Sequence, residues 1–194
     1  MDRRVFLGTS AGFAMFGAQA LAFSQKDAEN YVNVVAAEIN AVIASNKSES
    51  ATVKAFEQIF RRYADTNMIA RYALGREARS LSGSEIKNFT KTFTSYISKK
   101  YGSRFREFIG GKIEVKSSRK VRKFYEVKAD AVVRGQGRYD LVFLVSDRSG
   151  EPLFFNIFVE GINMLLAERT EIEAKLDRHK GDINALIREL QKSV

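Results

Sequence analysis

The stretch YEVKADAVVRGQGRYDLVFLV, residues 125–145, decides the fold of this 194-residue chain. Apolar and polar residues alternate on either side of a glycine-containing centre, RGQGR. An alternation of period two is typical of a half-buried β-strand, and a short glycine-rich break between two such runs is typical of a hairpin. The stretch therefore predicts two antiparallel strands joined by a turn.

The segments that flank this hairpin predict two further strands. A weaker strand is expected near residues 113–120, and PLFFNIFVEGINMLL, residues 152–166, follows the hairpin. The second segment is too short to span a membrane and carries Glu160. As a strand it has apolar residues on both faces, so either both faces are covered or one of them lines a cavity. Gly161 predicts a bulge or the close approach of another group.

The rest of the chain is predicted to be helical. SGSE, residues 82–85, is a capping-box pattern that starts the longest helix. Apolar residues at helical spacing predict helices over residues 25–45, 56–63, 67–74, 86–108, 166–179 and a last one that ends near 191. Helices first, a meandering sheet second and helices last predict an α+β fold, with N-terminal helices packed on one face of a curved antiparallel sheet and C-terminal helices after it.

Composition is consistent with a single folded domain over residues 23–194. Hydrophobic residues make up 45% of the chain, which is enough for a core and argues against disorder. Cysteine is absent from the sequence, so disulfides and thiolate metal sites are excluded. One domain of this length with its own core is the expected organisation.

The first residues predict export. Arg3 and Arg4 precede Val-Phe-Leu, and a weakly apolar run ends at small-residue sites over 18–20 and 20–22. This order is typical of a twin-arginine signal peptide, here residues 1–22, which is cleaved on export to the periplasm. The alternative is an uncleaved membrane anchor, because the run is close to the minimum spanning length.

Residues suited to catalysis are scarce. His179 is the single histidine, and it lies at the end of a predicted helix, where a positive or polar residue suits the helix dipole. The GQG of residues 135–137 lies between two strands and does not lead into a helix, so it does not form a phosphate-binding loop. The sequence predicts neither an enzyme nor a metal site.

Positive charge is concentrated in one part of the chain. Residues 99–138 contain 13 Lys or Arg and 4 Asp or Glu, which equals the whole net charge of +9. Such a surface is either the solvated face of edge strands or a docking site for an anionic membrane, an acidic protein or nucleic acid. The export signal argues against nucleic acid. The candidate docking residues, named the basic segment below, are Arg119, Lys120, Arg122 and Lys123.

Four stretches resemble the MlaC family of periplasmic phospholipid-binding proteins, the toluene-tolerance auxiliary proteins of the Mla lipid-transport system. The stretches are NMIARYALGREAR (67–79), FTKTFTSYISKKYGSRF (89–105), FFNIFVEGINMLLAERTEIEAKL (154–176) and GDINALIREL (181–190). The resemblance extends over residues 25–190. Where the family often has a tryptophan at the start of the strand before the Glu-Gly step, this chain has Leu153 and Phe154.

The resemblance implies a carrier that holds a glycerophospholipid by its acyl tails and needs no cofactor. It implies helices over the concave side of the sheet, similar to the cystatin-like cone fold. The implied partners are an inner-membrane Mla transporter complex of the ABC type and an outer-membrane lipoprotein complex, with transient contact to membrane surfaces. The carrier is expected to be a monomer in the periplasm.

The expected cavity lies between the helical half and the hairpin half, although each candidate can equally be ordinary core. The predicted lipid-binding residues are Ile69, Tyr72, Leu74, Phe93, Ile97, Tyr101, Phe105, Leu141, Phe143, Phe155, Ile157, Val159, Ile162, Met164 and Leu165. Arg71, Arg76 and Arg79 either face the mouth or a partner or are simply solvated.

Two other functions stay open. An envelope adaptor would have the same fold with a filled core and no ligand. A secreted hydrolase of lipid-like substrates would need a nucleophile beside a base, and only a Ser or Asp near His179 could provide that pair.

Overall fold

The computed structural model describes residues 23–45, 47–103, 111–133, 135 and 137–193. The predicted signal peptide, residues 1–22, lies outside this part. In chain order the elements are α1 (Gln25–Ala44), α2 (Glu49–Tyr63), α3 (Thr66–Ala73), a 3₁₀ helix (Gly75–Arg79), α4 (Gly83–Gly102), β1 (Lys112–Val121), β2 (Phe124–Val133), β3 (Gly137–Ser146), β4 (Leu153–Val159), β5 (Ile162–Asn163), α5 (Met164–Arg178) and α6 (Ile183–Lys192).

The strands form one antiparallel sheet in the order β1-β2-β3-β4-β5. Tyr125 pairs with Val145 and Val133 with Gly137, so the central hairpin has the predicted alternation. The inward residues of β2, among them Val127 and Ala129, are buried against the helices. The predicted α+β fold, with helices packed on a curved antiparallel sheet, is confirmed.

Helix α1 lies along the edge strand β1 and runs in the opposite direction. Near its start, Gln25 Nε2 donates to Ser118 O at 2.7 Å. Near its end, Asn40 donates to Ile113 O at 2.9 Å and accepts from Ile113 N at 2.7 Å. The side chains of α1 thereby satisfy backbone groups of a strand edge that would otherwise be open.

The other helices form a layer over the sheet. Helix α4 begins at the predicted capping box, in which Ser82 N donates to Glu85 Oε2 at 2.8 Å and Glu85 N donates to Ser82 Oγ at 3.3 Å. Its buried stripe includes Ile86, Phe89 and Phe93. The predicted continuation of this stripe to residue 108 lies outside the described residues. No helix in the described part is both long enough and apolar enough to cross a membrane.

The apolar segment 152–166 differs from its prediction in two ways. Glu160 and Gly161 have φ of 49° and 74° and form the tight turn between β4 and β5. A chain reversal of this kind needs positive φ at both central residues, which explains the glycine. A Cβ on Gly161 would meet no atom within 4 Å, so the expected bulge or close approach at this residue is wrong.

The bulge lies earlier in β4, at Phe155. Leu144 pairs with Asn156 but Val145 pairs with Phe154, so β4 has one extra residue opposite this step of β3. The extra residue shifts the alternation, and Phe154 joins Ile157 on the face that the helices cover. A regular alternation from Ile157 would point Phe154 away from this face, and the bulge is the reason that it does not.

Candidate functional site

A cavity of about 590 Å³ lies between the sheet and the helical layer. Protein interiors rarely contain voids much larger than one water molecule, whereas this space would hold about twenty. Its size falls within the range of roughly 300–1,000 Å³ that is typical of small-molecule pockets. The packing of the two layers is therefore incomplete in one region of the molecule.

The sheet forms one wall of the cavity with inward residues of β2, β3 and β4. Leu141 pairs with Val159 and Phe143 pairs with Ile157, so these four side chains share one face. Ala131 also lines the cavity, and its small side chain takes little of the space. The wall is apolar because the alternation of the strands places aliphatic and aromatic residues on this face.

The helices form the opposite wall. Val35, Ile39 and Ile43 of α1 follow one another at intervals of four residues, so they lie on one face of the helix. Helices α2 to α4 contribute Phe56, Ile59, Phe60, Ile69, Ile97 and Tyr101. The residues of α1 and α2 are absent from the sequence-based prediction. Their apolar stripe is visible in the sequence, but a stripe that packs against core has the same period.

Aromatic rings close the inner end of the cavity. The ring centroids of Phe60 and Phe154 lie 6.0 Å apart, and those of Phe143 and Phe154 also lie 6.0 Å apart. The second pair is edge-to-face, an arrangement that aromatic quadrupoles favour. These three buried rings join α2 to β3 and β4 and form the floor of the cavity.

The mouth of the cavity lies at one end of the sheet. Three lining residues with exposed side chains, Lys112, Glu160 and Ile162, all belong to this end, where β1 begins and β4 turns into β5. The basic segment lies at the other end, since Lys120 pairs with Tyr125 at the β1–β2 turn. A ten-residue strand spans about 30 Å, which is therefore the separation of the mouth from the basic segment.

A partly buried ionic group borders the cavity between α4 and α5. The Glu168 carboxylate, in a residue 4% exposed, accepts hydrogen bonds from Lys100 Nζ at 2.7 Å and from the Tyr101 hydroxyl. Lys100 Nζ also lies 2.5 Å from Glu171. Burial opposes the charge of Glu171, but the hydrogen bonds from Lys100 and Tyr96 outweigh it and lower the pKa of this carboxyl. Glu168 Oε2 is buried and has no hydrogen-bond partner among the described residues.

The structure brings together most of the predicted lipid-binding residues. The following line the cavity: Ile69, Ile97, Tyr101, Leu141, Phe143, Phe155, Ile157, Val159, Ile162, Met164 and Leu165. Leu74 and Phe93 are fully buried in the core rather than on the wall, and Tyr72 is exposed. Phe105 lies outside the described residues. Lipid contact by any of them stays a prediction.

The basic segment is exposed and partly paired. Arg119 forms a salt bridge with Glu126 at 2.5 Å, and Lys120 Nζ lies 5.8 Å from the centre of the Tyr125 ring. Arg122 has φ of 53° in the β1–β2 turn, where glycine has the lower conformational cost. A charged residue is thus held at the tip of this hairpin in spite of backbone strain.

The single histidine belongs to a surface ion cluster. His179 Nε2 lies 2.7 Å from Glu189, which Lys175 and Arg178 also contact at 2.9 Å and 3.1 Å. Hydrogen bonds from Lys175 and His179 lower the pKa of Glu189 to about 2. In the described part of the chain no group of three or more His, Asp or Glu is arranged to hold a metal ion.

A family model described as MlaC protein matches residues 30–192. The chain belongs to the MlaC family. This MlaC-family chain is similar in structure to a phospholipid-binding protein from Ralstonia solanacearum, solved in complex with a phospholipid. The TM-score is 0.74 at 14% identity, over 86% of this chain and 96% of that chain, a likeness that shows the fold. A comparison of the MlaC-family chain with curated proteins finds no match.

Proposed function

We propose that this protein is a periplasmic phospholipid carrier that moves glycerophospholipid between the outer and inner membranes as the soluble component of an Mla-type ABC transport system. The observation that carries this function is the apolar cavity of about 590 Å³, which has a floor of aromatic rings and a mouth at one end of the sheet. Membership of the MlaC family and the fold of a phospholipid-binding neighbour support the choice of ligand.

The energetics of acyl chains explain why an apolar slot suffices. Exposure of an acyl chain to water costs about 0.8 kcal/mol per CH₂, so two tails have a large affinity for any dry cavity that they fill. Hydrogen bonds to the tails are neither possible nor needed. The tails lie on the wall residues, and the headgroup stays at the mouth near Lys112, Glu160 and Ile162.

Shape-based binding has a consequence for selectivity. A wall of aliphatic and aromatic side chains selects lipids by the volume and length of their tails and discriminates weakly between headgroups. Release is slow without help, because each tail must leave an apolar site for water. Docking to a partner that favours a more open state is the expected trigger, since a partner shifts an equilibrium only through its different affinity for the two states.

The partners are an inner-membrane Mla transporter complex and an outer-membrane lipoprotein complex. The signal peptide over residues 1–22 directs the protein to the periplasm and is cleaved there, and the carrier acts as a monomer. The basic segment docks electrostatically on acidic partner surfaces or anionic membrane surfaces. The exposed position of Arg122 at a strained turn supports this role.

The cavity also favours the carrier over the alternatives. An envelope adaptor needs no internal space of this size, because a filled core would be more stable. A hydrolase would need a nucleophile activated by a base, and His179 is instead paired with Glu189 on the surface, at 2.7 Å.

Native mass spectrometry of protein purified gently from the periplasm tests the proposal. We expect additional mass in the phospholipid range, and lipid extraction should return the phospholipid chemically intact. Recovery of lyso-lipid after incubation would favour a hydrolase. An apo mass, together with failure to take up phospholipid from vesicles, would exclude the carrier and leave the adaptor.

A further inference from the structure

Four large apolar side chains are exposed on neighbouring elements. Met68 and Tyr72 of α3 are 40% and 38% exposed, Ile162 of β5 is 61% exposed and Leu166 of α5 is 49% exposed. Exposed apolar residues that occur singly need no explanation, but a contiguous group of them marks an interaction surface. These four residues are named the lip below.

The packing of α3 on α5 makes the lip contiguous. Arg169 Cζ lies 5.3 Å from the centre of the Tyr72 ring, and a Cβ on Gly75, three residues further along the chain, would meet both Arg169 and Glu173. These contacts show that the end of α3 and the start of the 3₁₀ helix lie beside α5 at Arg169. Met68 lies one turn before Tyr72 and Leu166 lies three residues before Arg169, so both belong to the part of each helix that precedes this contact.

The lip is continuous with the cavity wall. Ile162 lines the cavity and is also the most exposed member of the lip. Met68 precedes Ile69 and Leu166 follows Leu165, and both of these neighbours are buried on the wall. The apolar wall therefore reaches the outside of the protein at Ile162, and Met68 and Leu166 adjoin residues of that wall on α3 and α5.

Arginines surround this apolar surface. Arg71 lies on α3, Arg169 lies on α5, and Arg76 and Arg79 lie in the 3₁₀ helix that follows α3. The acids beside them are paired, since Glu77 is bound to Arg76 at 3.1 Å and Glu173 to Arg169 at 2.8 Å. Glu160, the acid closest to Ile162 in the chain, accepts a hydrogen bond from the backbone of Asp140. Glu168, the first acid of α5, is buried and bound to Lys100 at 2.7 Å. The group formed by Arg71, Arg169 and the 3₁₀ helix therefore has four arginines and two paired glutamates, and its charge is positive.

We propose that the lip inserts into the surface of a lipid bilayer that contains anionic phospholipid. Aliphatic side chains would enter the acyl boundary, while the arginines and the Tyr72 hydroxyl would stay at the level of the headgroups, as at other interfacial surfaces. The inference rests on the proposed carrier function, because it gives a tail a direct apolar path from the bilayer to the wall. The basic segment, on the β1–β2 turn, remains free for a protein partner.

The sequence allows a clean optical test because it contains no tryptophan. Leu166→Trp places a single emitter in the lip. Val34→Trp is the matched control, since Val34 on α1 is 50% exposed and does not line the cavity. Each variant is mixed with phosphatidylcholine vesicles, with and without phosphatidylglycerol, and all variants carry the same N terminus.

We expect a blue shift of the Leu166→Trp emission with phosphatidylglycerol vesicles, and quenching by lipids with brominated acyl chains. The Val34→Trp emission should change in neither respect. Quenching that disappears when the vesicles are sedimented away reports bilayer contact, whereas quenching that persists reports brominated cargo in the cavity. The double variant Ile162→Ser, Leu166→Ser should bind the vesicles about tenfold more weakly or worse, because two large apolar side chains no longer leave water.

Identical responses of the two tryptophan variants to vesicles would overturn the inference. So would a shift of the Leu166→Trp emission that requires an added protein partner and not a bilayer. Native mass spectrometry of the same samples keeps the two proposals apart. If the protein carries phospholipid but does not insert into the vesicles, the carrier function stands and the inference about the lip is wrong. If the protein never takes up lipid, the carrier function itself is wrong.

Discussion

The ring of Phe154 on β4 lies 6.0 Å from the ring of Phe60 on α2, and this contact closes the inner end of the cavity. On one side of it the sheet and helices pack without a gap, as at Val127 and Val145, which are fully buried. On the other side they separate as far as the mouth. Under the proposed function, the two rings set the depth to which an acyl tail enters.

Shortening Phe154 should lengthen the cavity. We expect Phe154→Leu to shift the bound phospholipids towards longer tails, with a loss of stability of roughly 1–3 kcal/mol. Mass spectrometry of extracted lipid and urea unfolding measure the two effects. Phe89→Leu is the matched control, because Phe89 is fully buried but does not line the cavity. Phe89→Leu should lose a similar amount of stability and leave the tail lengths of the bound lipids unchanged. A shift towards longer tails in both variants would contradict the assignment of Phe154 to the floor of the cavity.

Two alanines of β2 offer a second matched pair. Ala131 lines the cavity, whereas Ala129, two residues earlier on the same face, is buried but lies off the wall. Ala131→Phe should reduce the lipid that co-purifies and change stability little, since the ring enters empty space. Ala129→Phe should retain lipid if it folds and lose about 1–3 kcal/mol by overpacking. Thermal unfolding measures the destabilisation. Equal destabilisation by the two substitutions would mean that Ala131, like Ala129, is packed against core and does not border a cavity.

The sequence predicts the architecture well because period and turn chemistry are local signals. The alternation on both sides of residues 134–138 predicts β2 and β3, and the Ser82–Glu85 capping box predicts the start of α4. The bulge at Phe155 is not visible, because nothing local distinguishes an extra residue in an apolar run. The two-residue turn at Glu160 and Gly161 is a signal that the sequence does contain, in the glycine after Glu160.

The candidate site is harder to predict than the fold. Phe93 and Ile97 lie on the same stripe of α4, yet the structure places Phe93 in the core and Ile97 on the cavity wall. A residue that faces core and a residue that faces a cavity have the same polarity and the same spacing. The difference depends on how far apart two layers stand, which is a long-range property of the fold.

The ionic group beside the cavity should contribute to stability at neutral pH. Lys100→Met leaves the buried Glu168 without its cation, and we expect a loss on the order of 3 kcal/mol. The neighbouring and exposed Lys99→Met should change stability by much less. The contribution of Glu171, whose pKa is lowered, is present above its unfolded value of 4.5 and decreases as pH falls below it.

Urea unfolding of the wild type and of Lys100→Met at several pH values measures both effects. The pKa of Lys100 is raised, because its bonds to Glu168 and Glu171 outweigh burial. Its contribution is therefore complete below the unfolded value of 10.5 and is lost as pH rises through the folded pKa. Equal stability of Lys100→Met and Lys99→Met at pH 7 would contradict the role of this group.

The Glu189 cluster predicts a separate response to acid. Its folded pKa of about 2 lies below the unfolded value of 4.5, so its contribution is complete above pH 4.5 and is lost as pH falls to 2. Glu189→Gln should therefore lower the melting temperature at pH 7, and the difference from wild type should vanish near pH 2. Because the cluster is on the surface, we expect no more than about 1 kcal/mol. A difference that persists at pH 2 would point to a packing effect of the substitution.

Charge reversal in the basic segment should slow docking to the inner-membrane transporter. We expect Arg122→Glu with Lys123→Glu to lower the association rate several-fold, and added salt to lower the wild-type rate in the same direction. Lys47→Glu with Lys54→Glu, exposed and distant in sequence, is the control. Binding kinetics on the immobilised transporter complex measure the rates. Indifference of the rate to both salt and charge reversal would leave the basic segment as a solubility device.

The placement of the cavity mouth and of the β1–β2 turn at opposite ends of a strand about 30 Å long has a mechanical consequence. Under the proposed function, a partner that binds the turn leaves the cavity mouth uncovered, so docking and lipid exchange do not compete for the same surface. A carrier docked through the turn stays close to the adjacent membrane, so its effective concentration at the membrane is high. Several attempts at lipid exchange can then take place during one docking event.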